Sequence, residues 1–365
     1  MSKSGDPFIS THWGTYRAQS GASGASSLAA FEDDPDPSPI GESILETLSG
    51  SCRIERPMIR KGYLEGRDTT RRGRDSFVAV TWDEALDMAA RELTRVRTEH
   101  GNEAIYAGSY GWASAGRFHH AQSQLRRFLN LFGGYTSSRN TYSYAAAEVV
   151  LPHIVAPLDQ LFDKHTSWRA IADARALVVA FGGVSLRNSQ INPGGVARHT
   201  QRGDIAEAIA AGAHIVSITP SRDEGYPNEW TPIRPNTDLA LMLGLAHTLT
   251  SEGLHDKEFL ARYCTGFERF ESYIRGETDG VARDADWAAD ITGVNADTIR
   301  ALARRMTQQP TLINASWSLT RQHNGEFFTT ITTDNVCFPE NIAAIISQVP
   351  EDIISGGMTV GIVHF

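Results

Sequence analysis

Between Gly108 and Gly116 the chain runs Gly-Ser-Tyr-Gly-Trp-Ala-Ser-Ala-Gly, placing a phenol at Tyr110 and an indole at Trp112 in a glycine-rich turn. Each is a neutral hydrogen-bond donor on a large apolar body, so an aromatic turn packed on a core is its ordinary reading. Gly111 and Gly116 have the separation of a phosphate-binding P-loop. Arg117 and Phe118, however, stand where lysine and serine or threonine must reach phosphate and magnesium, which rejects that reading. Ser143 precedes Tyr144-Ala-Ala-Ala-Glu148, the position of a helix N-cap. Arg234-Pro-Asn-Thr-Asp238 reads as a loop leading into a helix, with Asp238 as its cap. His119 and His120 lack a third ligand nearby. No G-x-G-x-x-G fingerprint supports a nicotinamide dehydrogenase. No C-x-x-C pair supports an iron–sulfur or structural zinc site. Taken one at a time, these residues leave both structural and chemical roles open.

Alternating strands and helices must position them. Phe77-Val-Ala-Val-Thr81 has strand character, and Thr81 with Glu84 forms a capping-box pattern. Leu86, Ala89, Ala90, Leu93 and Val96 give the helix that follows an apolar stripe, and Gly101 sits at its C-cap. Ala104-Ile-Tyr-Ala107 reads as a short strand, and a helix is expected from Arg117 to Leu131. A second series starts at Ala176-Leu-Val-Val-Ala-Phe181, a buried-strand run ending in Gly182-Gly183. Further strands are expected at His214–Ile218 and Thr311–Asn314, with helices over 203–211, 238–249 and 297–306. Strands alternating with helices predict α/β units built on parallel sheets. Ligands of such sheets sit at the carboxyl ends of strands, which directs attention to the residues after Ala107, Phe181, Ile218 and Asn314.

The chain has 365 residues, more than a single core usually holds, so two or more units are expected. Apolar residues at 41% and charged residues at 21% are an ordinary soluble globular balance. A net charge of -9 argues against nucleic acid or an anionic membrane as the main partner. Cys52, Cys264 and Cys337 are too few and too scattered for a disulfide framework, which fits a reducing compartment. The residues from Met1 lack the pattern of a secretion signal and no apolar run could span a bilayer, so a cytoplasmic location without membrane insertion is expected. Residues 1–50 are rich in Gly, Ser, Pro and Asp. Gly21 to Ser27 and Asp33 to Pro39 read as loop, with little room for a core.

In order and at their spacings, many short motifs together resemble one family. Thr11-His-Trp-Gly-Thr-Tyr16, Pro37-Ser-Pro-Ile-Gly41 and Arg56-Pro-Met-Ile-Arg-Lys-Gly-Tyr63 look like its N-terminal segments. Gly108 to Arg117 and Phe128-Leu-Asn-Leu-Phe-Gly-Gly134 look like its active-site strand, loop and helix. Asn140-Thr-Tyr-Ser-Tyr-Ala-Ala-Ala147 resembles the segment that carries a metal-ligating serine. Ile218-Thr-Pro-Ser-Arg222, Ile233-Arg-Pro-Asn-Thr-Asp238, Leu241 to Leu249 and Ser316-Trp-Ser-Leu-Thr-Arg321 with Gly325-Glu326 follow in family order. The family is that of the DMSO reductases, molybdopterin oxidoreductases, in the branch that reduces biotin sulfoxide, trimethylamine N-oxide and DMSO. The sequence departs from the family pattern beside Ser143, with Thr141 in place of an aspartate and Tyr144-Ala145 in place of Thr-Gly. The resemblance stops after Glu326, and family members are longer.

The resemblance implies an incomplete DMSO reductase fold of Rossmann-like parallel-sheet domains with a small irregular N-terminal segment. Its parts would be a loop-rich segment at 1–50, the first part of a molybdopterin-binding α/β domain at 51–155, a Rossmann-like domain at 156–326 and a divergent tail at 327–365. It further implies molybdenum held by bis-molybdopterin guanine dinucleotide, no iron–sulfur cluster, and oxygen-atom transfer from an S- or N-oxide, with an unidentified electron donor. Ser143 would ligate the metal, and Tyr110 and Trp112 would hydrogen-bond the oxo group or substrate oxygen, with Trp112 also counted among the cofactor-binding residues. Arg187 would contact cofactor phosphate, with Thr219 and Ser221 offering hydroxyls. Asp238, assisted by Asn236, would accept from the guanine N1–H and 2-amino group. Trp317, Leu319 and Arg321 would stand at the pterin-contacting strand end. If domains are missing, large apolar patches should remain exposed on the second α/β unit. The alternative is a truncated, non-catalytic remnant that binds only part of the cofactor.

Overall fold

The computed structural model describes residues 7–11, 13–20, 26–48, 50–109, 120–153, 157, 160, 165–191, 198–222, 224–264 and 266–323. The chain divides into two compact units, Met1–Arg139 with Ile191–Arg198, and Asn140–Gln190 with His199–Phe365.

The first unit starts with an antiparallel meander of β1 (Phe8–Thr11), β2 (Gly14–Ser20) and β3 (Ser26–Ala30). The richness of residues 1–50 in Gly, Ser, Pro and Asp predicts a loop-rich segment, with Gly21 to Ser27 and Asp33 to Pro39 as loop, yet three strands form here and β3 begins at Ser26. What organises it is Tyr16, which is fully buried and donates its hydroxyl to the Ser38 carbonyl at 2.7 Å. The ring lies flat against Gly41 in the short helix α1 (Ile40–Ser43), where any β-carbon would strike it. Two of the motifs that carry the resemblance thus meet around one side chain.

β4 (Met58–Arg60) leads into α2 (Lys61–Leu64) and pairs antiparallel with β5 (Phe77–Ala79). The Asp75 carboxylate ties this turn together, accepting from Arg60 at 2.9 Å and from the Gly62 N–H at 2.7 Å. α3 (Trp82–His100) begins with the expected capping box: Thr81 Oγ1 accepts from the Glu84 N–H at 3.2 Å, and Glu84 accepts from the Thr81 N–H at 2.7 Å. No residue of α3 is buried: within its apolar stripe Leu86 is 60% exposed and Leu93 and Val96 are half-buried, and Trp82 at its start is 69% exposed. The strand expected at 104–107 is reduced to one bridge between Tyr106 and Thr136. The N–H groups of Ala104 and Ile105 are already spent on Gly101 and Asn102, closing a 3-10 turn. α4 (Ala121–Leu131) follows.

The second unit contains, in chain order, α5 (Ala145–Val150), α6 (Trp168–Ala174), β6 (Leu177–Phe181), α7 (Gln201–Ala211), β7 (His214–Ile218), β8 (Glu229–Thr231) and α8 (Asp238–Ser251). α9 (Lys257–Tyr263), α10 (Phe267–Ile274), α11 (Ala285–Thr292), α12 (Ala296–Met306) and β9 (Thr311–Ala315) complete it. The four strands form a parallel sheet in the order β8-β7-β6-β9. Every residue of β6 is buried, as its unbroken apolar run requires of a central parallel strand.

One face of the sheet, with Val178, Ala180, Ile215 and Leu312, packs on Ile171 of α6 and on Ile205 and Ala208 of α7. The opposite face, with Leu177, Val179, Phe181, Val216 and Ile218, packs on α8, α11 and α12. Burying one such side chain is worth about 1.5–3 kcal/mol. Eleven of the 14 residues of α8 are buried, which is why its sequence is apolar all round rather than striped. The strands finish level: Phe181 stands opposite both Ile218 and Ala315, and Ile218 opposite Thr231. Their following residues therefore emerge along one edge.

Candidate active site and cofactor-binding edge

At this edge β6 ends in Gly182 and Gly183, both at positive φ (79° and 73°). A β-carbon on Gly182 would strike Ser316 Oγ and Leu319, and one on Gly183 would lie 2.6 Å from a Glu224 carboxylate oxygen. The turn is thus a bare-backbone cradle pressed between the segment after β9 and a buried acid. Ser316 closes the β9 side by donating its N–H to the Phe181 carbonyl at 2.9 Å.

Three predicted phosphate-site residues come together beyond the cradle. Ser185 Oγ accepts from Arg187 Nε at 3.0 Å, and the Arg187 guanidinium donates to Ser221 Oγ at 3.4 Å. The Ser221 N–H donates to Thr219 Oγ1 at 3.3 Å. Arg187 and Ser221 are exposed and Thr219 is buried, so the group presents one cation and a hydroxyl to solvent at the ends of β6 and β7. The Trp230 indole N–H holds the Thr219 carbonyl at 2.8 Å. Deeper in, burial with the Glu224 carboxylate nearby pushes the Tyr226 phenol up to about 12.

Asp238 opens α8 and is 4% exposed. Burial pushes its carboxyl up to about 6, against weaker opposing hydrogen bonds from its own backbone and from Gln322. The Gln322 amide donates to it at 3.5 Å, a long and weak bond. Asn236 lies in the preceding loop at φ 66°, with its side chain exposed.

The 3-10 turn Trp317–Arg321 follows β9. Arg321 is exposed at its end, whereas Leu319 is 1% exposed and belongs to the core beneath the cradle. The Trp317 ring lies 4.5 Å from the Tyr144 ring, which brings the residue next to Ser143 onto the end of β9. Ser143 is half-buried and is not an N-cap: α5 starts at Ala145, Tyr144 holds the cap position, and no side chain caps it. The Ser143 N–H donates to Thr141 Oγ1 at 3.2 Å, and among the described residues no hydrogen bond engages its hydroxyl. Tyr110 and Trp112 lie outside the described residues.

Sequence reasoning missed Glu224, Trp230, Gln322 and the role of Tyr144. Only Tyr144 left a signal, as a departure from the family pattern. Among the described residues no group of three or more His, Cys, Asp or Glu could hold a metal ion, and no helix is long and apolar enough to cross a membrane.

The family model for molybdopterin oxidoreductases matches residues 53–337, most of the chain. The chain belongs to the molybdopterin oxidoreductase family. It is 43% identical over 303 residues to a biotin sulfoxide reductase of Cereibacter sphaeroides, covering 81% of this chain and 41% of that one. It is 38% identical over 322 residues to a dimethyl sulfoxide/trimethylamine N-oxide reductase of Rhodobacter capsulatus, covering 87% and 39%. A trimethylamine-N-oxide reductase 1 of Escherichia coli K12 is 38% identical over 328 residues, covering 87% and 38%. The chain thus spans 38–41% of the length of these relatives. Among solved structures, acetylene hydratase from Pelobacter acetylenicus matches with a TM-score of 0.58 at 23% identity, covering 87% of this chain and 41% of that one. That match supports the α/β fold with its parallel sheet.

Proposed function

We propose that this chain is the cofactor-holding part of a molybdenum-dependent S- or N-oxide reductase, with Ser143 as metal ligand and the sheet edge as the seat of a bis-molybdopterin guanine dinucleotide. The observation that carries the reading is Asp238. A carboxylate this buried, held only by its own backbone and by a long bond from Gln322 among the described residues, favours a ligand offering two parallel N–H donors, as guanine does through N1 and its 2-amino group. Arg187 and Ser221, with Thr219 beneath them, would take the phosphates; a guanidinium suits phosphate because it donates in pairs. Gly182 and Gly183 let Ser316, Leu319 and Glu224 pack directly on the backbone at this edge, where any side chain would intrude, and so hold the strand end in place for the proposed site.

When bound, the cofactor supplies two-electron oxygen-atom transfer, turning an S- or N-oxide into sulfide or amine and, with two protons, the oxygen into water. The half-buried Ser143 hydroxyl, uncommitted to other hydrogen bonds among the described residues, suits an anionic oxygen ligand. Tyr110 and Trp112 would orient the substrate oxygen as neutral donors, so no unpaired charge need be buried. The names of the relatives supply the substrate class, and electrons would come from a separate donor.

The test is to produce the protein in a molybdenum-replete host, quantify bound molybdenum, pterin and guanine, and assay biotin sulfoxide, methionine sulfoxide, trimethylamine N-oxide and DMSO with a chemical electron donor. Guanine-bearing pterin that is lost in Asp238→Asn is the expected result. A cofactor without guanine, or equal loading in the variant, would defeat the proposal.

A further inference from the structure

We propose that Tyr144 is a positioning residue for Ser143: its ring, seated on Trp317, fixes the serine at the carboxyl end of the parallel sheet. The inference rests on the reading of Ser143 as metal ligand. It starts from the departure beside that serine, where Thr141 and Tyr144-Ala145 replace the residues the family pattern has.

The local backbone explains why an anchor is needed. Asn140 adopts φ 59°, a left-handed conformation uncommon outside glycine. Thr141 then organises a tight turn, its Oγ1 accepting the Ser143 N–H at 3.2 Å and its carbonyl the Ala145 N–H at 3.1 Å. These bonds shape the segment internally but do not tie it to the sheet. The helix that follows is only six residues long and starts without a side-chain cap. Its own hold is further along, at Ala147, and then at Leu151 just beyond it, both fully buried.

Tyr144 makes the connection one peptide bond from Ser143. Its ring centroid lies 4.5 Å from that of Trp317, with the planes tilted by 32°. Trp317 is itself fixed, because the preceding Ser316 donates its N–H to Phe181 at the end of β6. A continuous path therefore runs from the central strand through Ser316 and Trp317 to Tyr144 and the serine. A glycine-containing pair at 144–145 would lack this contact and would have to be held another way. Thr141 and Tyr144 are this chain's joint solution, one shaping the turn and the other fastening it.

Hydrogen exchange of the whole 365-residue chain tests the anchor without the cofactor. Tyr144→Ala should speed exchange of the amides of 141–148 about three- to tenfold, the factor expected when an aromatic pair is removed. Tyr144→Phe, which keeps the ring, should restore protection. Trp317→Leu should reproduce the loosening, and the double variant should add little to it. In cofactor-loaded protein the molybdenum absorption spectrum should shift in Tyr144→Ala and return in Tyr144→Phe. Unchanged exchange in Tyr144→Ala overturns the anchor alone. A spectrum unaffected by Ser143→Ala overturns the ligand role of the serine, and with it the reason for positioning it, even where exchange responds as expected.

Discussion

In Asp238 a carboxyl of raised pKa coincides with the proposed base contact. Its carboxyl is raised to about 6 by burial, so the folded protein holds that proton more tightly than the unfolded chain does. The stabilising contribution is complete below the ordinary aspartate range near pH 4 and is lost as pH rises through about 6. Asp238→Asn should therefore stabilise the ligand-free protein at pH 7.5, by at most about 3 kcal/mol, and by less than about 1 kcal/mol at pH 4; urea unfolding at the two pH values reads this. On the proposed reading guanine nucleotide takes the ionised form, so its affinity should fall about tenfold between pH 7.5 and pH 5, measured by calorimetry. A flat profile would remove Asp238 from base recognition. Ser143 gives the opposite kind of expectation. Because it does not cap α5, Ser143→Ala should cost less than the ~1 kcal/mol of a lost N-cap, while changing the metal spectrum and sharply lowering turnover in loaded protein. A stability loss with an unchanged spectrum would return the residue to a structural role.

The elements that position the site differ in how plainly the sequence showed them. β6, β7 and β9 were readable because central parallel strands are continuous apolar runs, and α8 because buried helices are apolar on every side. The capping box of α3 was readable from two residues, since its chemistry is local. β8 escaped notice because Glu229-Trp-Thr231 is three residues long with no pattern to repeat. β1 to β3 escaped because their order depends on Tyr16 reaching Ser38, a contact across 22 positions. The site divides the same way. Family motifs pointed to Arg187, Thr219, Ser221 and Asp238, but Glu224 and Gln322 reach the edge only through tertiary folding. The cradle offers a sharp check on this geometry. Gly183→Ala forces a side chain into φ 73° and into the Glu224 carboxylate, and should destabilise the second unit by about 2 kcal/mol or more in urea unfolding. An alanine variant of native stability would mean that the turn does not press on Glu224.

At the scale of the whole chain, uncovered apolar surface is distributed unexpectedly. Patches were expected on the second unit, yet that unit encloses both faces of its sheet. The first unit instead leaves Phe77, Trp82, Leu86, Phe128 and Leu131 each at least 51% exposed. Those side chains should bind a hydrophobic dye, and limited proteolysis of the 365-residue chain should cut within 51–139 sooner than within the strands and helices of 165–323. The reverse order of cutting would show that the first unit is the sturdier.

The parallel pairing of β9 with β6 also sets a sequence in time. Leu177 must find Thr311, whereas it meets His214 much sooner along the chain. Closing the longer loop is entropically slower, so β6 and β7 should gain protection first in pulse-labelled refolding, and β9 last. The Arg187–Ser221 contact depends only on the early pair, while Gln322 reaches Asp238 only once β9 is home. A chain still maturing would assemble the proposed phosphate contacts before the proposed base site around Asp238 is complete.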